Sequence, residues 1–151
     1  MKTRGHIYMA NLLLQELREQ EGCLTLPTVP DDRGKVEYLK YQIPDQIDTA
    51  IRNHPGCFRA GAVGPDFFPD MLTGQMSIHP QNSGKWLDMM FEELRKMHPY
   101  GDEFEKALAF YMGWMMHYCG DMYGHQYVNL YAYGWFPSIA EMFGHAKALF
   151  I

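Results

Sequence analysis

Three side chains able to hold a cation recur at every fourth position near the middle of one segment: His117, Asp121 and His125. On a helix of roughly 3.6 residues per turn, each step of four advances about 40°, so all three share one face within about 80°. The segment that carries them begins near Asp102 and continues through Tyr123 or beyond. It is apolar on most of its turns, with Phe104, Leu108, Phe110, Tyr111, Met112, Trp114, Met115 and Met116. A helix apolar nearly all round is buried. Placing two imidazoles and a carboxylate there is unfavourable unless each group is compensated. A metal ion compensates all three together, and zinc suits the set because it accepts His nitrogen and Asp oxygen. The plain alternative is a hydrogen-bonded His117–Asp121 couple with His125 near a helix end. Three such groups in register favour the metal.

Other candidate ligands are spread along the chain. His6 stands at the head of the first amphipathic segment, four residues before the small Ala10. Asp66 lies in Gly64-Pro65-Asp66-Phe67-Phe68-Pro69-Asp70, where prolines and aromatics would aim its carboxylate rigidly, although a turn-stabilising Asp reads the same way. His79 follows in Ser77-Ile78-His79-Pro80, with Pro80 stiffening its backbone. His54 and His98 both precede prolines at expected helix ends and read as surface residues. Cys119 points about 160° away from the middle of the stripe and reads as packing. Trp86, Trp114 and Trp135 are expected in the core, with Trp135-Phe136-Pro137 also able to wall a pocket.

The elements that must position these residues are mainly helical. Ile7, Ala10, Leu13, Leu14 and Leu17 recur at helical spacing over 7–21, with Gly22 as a stop. Residues 23–40 hold Pro27, Pro30, Asp31, Asp32 and Gly34 and read as a loop into a shorter helix at 44–53. Glycines and prolines without a period make 56–84 an irregular connection, too long for a mere linker. Ser83 is placed to cap a helix reaching about 97, and a last helix is expected over 137–150 with Pro137 in its first turn. Strand signals are scarce, and the fold class is all-α, a compact multi-helix bundle.

Composition narrows the function. The 151 residues suit one domain able to bury a core without disulfides. A net charge of −5 without a long Lys/Arg run argues against duplex nucleic acid as a partner. Cys23, Cys57 and Cys119 lack C-x-x-C spacing and are expected to be free thiols. No window approaches the roughly 20 apolar residues of a membrane-spanning helix. The opening residues lack an uninterrupted apolar stretch, so the chain as written reads as cytoplasmic, and as secreted if a leader has been removed.

The string His117-Tyr-Cys-Gly-Asp121-Met-Tyr-Gly-His125-Gln-Tyr-Val-Asn129, together with Gly61-Ala62-Val63-Gly64-Pro65-Asp66, His79 and the early His6, resembles the bacterial zinc-dependent phospholipase C family. The resemblance extends over about residues 4–135. It implies an all-helical fold of the zinc-dependent phospholipase C and single-strand nuclease type, up to three clustered zinc ions, and hydrolysis of phosphodiester bonds in phospholipid head groups. By the same resemblance, Asp66, His79, His117 and Asp121 match the ligands of one zinc. Asp121 also bridges to a second zinc held by His6, and His125 matches a ligand of the third. The carboxylate matching Asp66 is also a candidate base for the attacking water.

Two departures stand out. The best known secreted members use an amino-terminal Trp as a zinc ligand, whereas this chain opens Met-Lys-Thr-Arg-Gly before His6. Those members also carry a later His-x-x-x-Glu pair, in place of which this chain has Glu141-x-x-x-His145. Either Glu141 and His145 substitute, since a helix puts both on one face, or the domain, spanning 1–151, stops short of that motif and is a truncated form. The expected function is therefore a zinc-dependent phosphodiester hydrolase acting on a phospholipid or related lipid phosphate. The alternatives are a zinc-binding structural or partner-binding module and a single-strand nuclease of the same fold.

Overall fold

A computed structural model describes residues 3–68, 78, 82–97 and 100–131, the side chains of 128, 129 and 131 excepted. Helix α1 spans Thr3–Glu19, followed by strands β1, Cys23–Pro27, and β2, Tyr38–Gln42. Then come α2, Asp45–Asn53, and α3, Pro55–Val63, which runs into a 3-10 turn over Gly64–Phe67. Helix α4 covers Ser83–Lys96 and the long α5 covers Asp102–Tyr131. The architecture is mainly all-α, as the periodicity predicts.

The amphipathic stripe of α1 turns Ala10, Leu14 and Leu17 into one core with Ala50 and Ile51 of α2, Phe58 and Ala62 of α3, and Phe104, Leu108 and Ala109 of α5. Asp102, Glu103 and Glu105 occupy the first turn of α5, where carboxylates oppose the positive end of the helix dipole. A second, smaller cluster forms from Ile78, Trp114 and Tyr118, with Trp86 packed against it. Among the described residues no helix is long and apolar enough to cross a membrane.

The close approach of α3 to α5 decides the geometry of everything near His117. A Cβ on Gly61 would collide with the carbonyl of Phe110, and one on Gly113 with the carbonyl of Phe58. The two helices therefore meet backbone to backbone through a pair of facing glycines.

Several expectations are corrected. Residues 23–40 are no simple loop: β1 and β2 pair antiparallel from Cys23↔Gln42 to Pro27↔Tyr38. Glu21 at φ 53 and Gly22 at φ 83 turn the chain out of α1 into this hairpin. Every β2 residue is exposed, so the strand carries none of the in-out hydrophobic alternation that would reveal it. The stretch after His54 is helical up to Val63, with Pro55 in the first turn. Ser83 is the first residue of α4, and Asn82, at φ 58, holds the cap position. His54 is half-buried, with Nε2 3.3 Å from Asp102 Oδ1 and 3.5 Å from Glu105 Oε2, because the α2–α3 corner packs on the start of α5. Cys119 is an exposed free thiol and takes no part in packing. The expected last helix, Trp135 and His98 lie outside the described residues.

Candidate metal centre

Three elements of the chain converge on one buried point. The first turn of α1 carries His6, and α5 carries His117, both with no exposure to solvent. The 3-10 turn supplies Asp66, and one and two turns after His117, α5 supplies Asp121 and His125. Pro65 and the φ of +50° at Gly64 bend the chain sharply out of α3. A Cβ at Gly64 would lie 3.3 Å from Cγ of His117, so the missing side chain lets the turn lie against the imidazole.

The donors face one another at short range. One oxygen of Asp121, Oδ1, is 3.2 Å from His6 Nε2 and 3.3 Å from His125 Nε2. The other, Oδ2, is 3.4 Å from His117 Nε2. Asp66 Oδ2 lies 4.0 Å from His6 Nε2. The rings of His6 and His117 stack, with centroids 3.9 Å apart and planes at 19°. Single donor atoms of His6, Asp66 and His117 all fall within 4.8 Å of one another, the spread expected of ligands around one ion. Asp121 presents its two oxygens to different imidazoles, as a bridging carboxylate does. His125, with a third of its side chain exposed, stands at the open side.

The protonation pattern tests whether a cation fits. His117 Nδ1 lies 3.0 Å from the carbonyl of Ala62, and a carbonyl only accepts, so Nδ1 carries the proton and donates it. In the neutral ring that leaves the lone pair on Nε2, the atom that faces the Asp121 carboxylate. Two lone-pair donors facing each other in a buried site require a positive charge between or upon them. The backbone bond that fixes the imidazole is the outer-sphere arrangement found behind metal-binding histidines. At His6, fully buried, neither ring nitrogen makes a hydrogen bond among the described residues, although carboxylates lie nearby. The residues present fit a divalent cation of zinc type.

Next to His117, Tyr118 is buried and donates its hydroxyl to the carbonyl of Ile78 at 2.8 Å. Burial pushes the Tyr118 phenol above its ordinary value, against the lowering effect of hydrogen bonding with Trp114 and Ser83. Its ring meets that of His117 edge-on at 5.8 Å. By contrast, an apolar groove of about 540 Å³ between α4 and α5, lined by Trp86, Met89, Met90, Phe110 and Tyr111, contains none of the donors. Among the described residues, that groove and the donor cluster lie at different places on the molecule.

Of the eight residues singled out as metal ligands, five come together: His6, Asp66, His117, Asp121 and His125. His79, Glu141 and His145 lie outside the described residues. Reading by residue type misses the carbonyl of Ala62, since a backbone donor or acceptor has no signature of its own. It also misses Gly113 and Tyr118. A glycine inside an otherwise apolar helix was the available signal for the first, because such a residue marks close backbone approach.

Comparison with known proteins places this geometry in a family. The family profile described as zinc dependent phospholipase C matches residues 5–148, and the chain belongs to that family. Comparisons with curated proteins and with solved structures give no significant match.

Proposed function

We propose that the chain is a zinc-dependent phosphodiester hydrolase acting on a phospholipid or a related lipid phosphate. The observation that carries this reading is the placement of Asp121, whose two oxygens face His6 and His125 on one side and His117 on the other. That arrangement belongs to a carboxylate shared between cations, and the family gives the ion as zinc. His6, Asp66, His117 and Asp121 would hold one or two ions, with His79 joining them. A third ion would take His125, with Glu141 and His145 as the candidates to complete it. Bound zinc supplies the positive field that acidifies water and neutralises phosphoryl oxygens. Asp66 is the residue we assign to take the proton of the attacking water, since its carboxylate sits at the edge of the cluster and is less buried than Asp121. Donation from His117 Nδ1 to Ala62 holds that imidazole in one orientation throughout.

The test is elemental analysis of purified protein followed by hydrolysis assays. Two or three zinc ions per chain, with release of phosphorylated head group from phosphatidylcholine vesicles, is the expected result. Zinc without cleavage of any phosphodiester would leave a metal-binding module, and protein purified with zinc present yet free of it would overturn the metal centre. One observation favours a second substrate. Phe67, 73% exposed and adjacent to Asp66, presents a ring on which a nucleobase can stack. Single-stranded DNA therefore belongs in the same assay, and its cleavage in place of lipid would make the chain a nuclease of this fold.

Zinc binding also predicts a stability change. At zinc one hundred times above its dissociation constant, the folded state gains about 2.7 kcal/mol. For a chain of this size that raises the melting temperature by about 5–10 °C, and a chelator should reverse it. Differential scanning fluorimetry with and without chelator measures the shift.

A further inference from the structure

We propose that the groove between α4 and α5 holds an acyl chain of the lipid whose phosphate the metal centre takes, a proposal that rests on the phospholipid reading of that centre. The groove offers about 540 Å³, within the range of about 300–1,000 Å³ typical of small-molecule sites, and its walls are apolar. Met89 and Met90 form part of the lining, and methionine adapts to irregular apolar ligands, which suits a chain with many conformers. Burial pushes the Tyr111 phenol above its ordinary value, with Asp88 adding to the effect, so the ring stays neutral at the groove. Charge argues against a charged peptide helix as the occupant. Along the rim on α4, Glu92 pairs with Arg95 at 3.1 Å and Glu93 with Lys96 at 2.6 Å, which leaves Lys85 and Asp88 as one charge of each sign. A rim so balanced has no excess charge to match a basic or acidic segment, and a hydrocarbon chain requires none. Position ties the groove to the metal centre. Phe110 and His117 stand seven residues apart on α5, which returns them to one face about 10 Å apart along the axis. Between them the rings of Phe110 and Trp114 lie 5.6 Å apart, those of Trp114 and Tyr118 6.3 Å, and those of Tyr118 and His117 5.8 Å. An unbroken aromatic row thus leads from the groove to the imidazole, a distance that a long acyl chain spans when its phosphate is held at the donors.

The test reads binding and cleavage separately. Protein purified with zinc is titrated calorimetrically with monohexanoyl-, monooctanoyl- and monodecanoylglycerol below their micelle-forming concentrations. These ligands carry no phosphate, so the result does not depend on the metal donors. Each buried methylene strengthens binding about fourfold, and affinity should rise about fifteenfold with every two carbons. Met89→Asp, which sets a charge at a half-exposed wall position, and Ala107→Phe, which adds bulk to the lining, should each lose that dependence on chain length. Leu39→Asp, at an exposed position on β2, should keep it. The kcat/KM for short-chain phosphatidylcholines below micelle-forming concentrations should rise with chain length in the unaltered protein and flatten in both groove variants. Affinity indifferent to chain length, or undiminished dependence in both groove variants, would overturn the proposal and leave a zinc enzyme standing. Chain-length-dependent binding without cleavage of any phosphodiester would remove the hydrolase reading, and with it the link between groove and phosphate.

Discussion

Asp121→Asn should release zinc while keeping the fold. Asparagine has nearly the same shape but no charge, and one of its two terminal atoms becomes a donor that cannot bind a cation. Asp121 faces three imidazoles through two oxygens, so the change removes a ligand from more than one position at once. Outer-sphere changes lower metal affinity by about 10–100-fold, and loss of a shared ligand should exceed about 100-fold. Phosphodiester cleavage should fall at least as far, with far-UV circular dichroism unchanged. The contrary case is equally measurable. If the cluster is a metal-free network of buried ion pairs, the same variant removes the charge that faces all three histidines of the network. Metal-free protein would then lose about 3–5 kcal/mol, which is the usual effect of breaking a buried pair.

Gly113→Ala should destabilise the protein, although helix propensity alone argues for the opposite sign. Alanine is favoured over glycine inside a helix by about 1 kcal/mol. Here the added methyl would run into the carbonyl of Phe58, on a backbone that cannot rotate aside as a side chain can. Overpacking of this kind costs about 1–3 kcal/mol, and the upper end is expected, lowering the melting temperature by about 6–12 °C. Gly84→Ala is the control, since a Cβ there meets nothing within 4 Å and lies in the exposed first turn of α4. Its melting temperature should hold or rise. Pushing α5 away from α3 also pulls His117 from the Ala62 carbonyl, so Gly113→Ala should weaken zinc binding and Gly84→Ala should not.

The helices could be read from the sequence wherever one face was apolar and the other charged, as in α1, or where apolar residues ran all round, as in α5. The stripe His117, Asp121, His125 was legible for the same reason: helical spacing converts sequence distance into a shared face. Legibility failed where contacts overrule local preference. Helix α3 contains Gly56 and Gly61, which weaken it in isolation, yet Gly61 is what lets it press against α5. The hairpin was hidden because β2 lies wholly at the surface. The convergence of His6 and Asp66 on the stripe came from the family resemblance and not from any local pattern, since nothing within a dozen residues of His6 encodes its partners. His54 reads as a surface residue by its place before Pro55, and only the packing of α2 and α3 on α5 reveals its two carboxylate neighbours.

Donors drawn from residues 6, 66 and 117–125 give the site a place in the order of assembly. The full donor set exists only once all three segments have come together, so an ion bound there would add its binding energy to the packing of α1 and the turn on α5. Helix α3 and the turn at Gly64 place Asp66 beside α5, and α1 contributes His6 alone to the described donors. The first helix would therefore act as a latch on an ion bound there. Its transient detachment would open the centre without unfolding α3 or α5, and the rate of metal escape would follow the amide exchange of α1 more closely than that of the helices it closes upon.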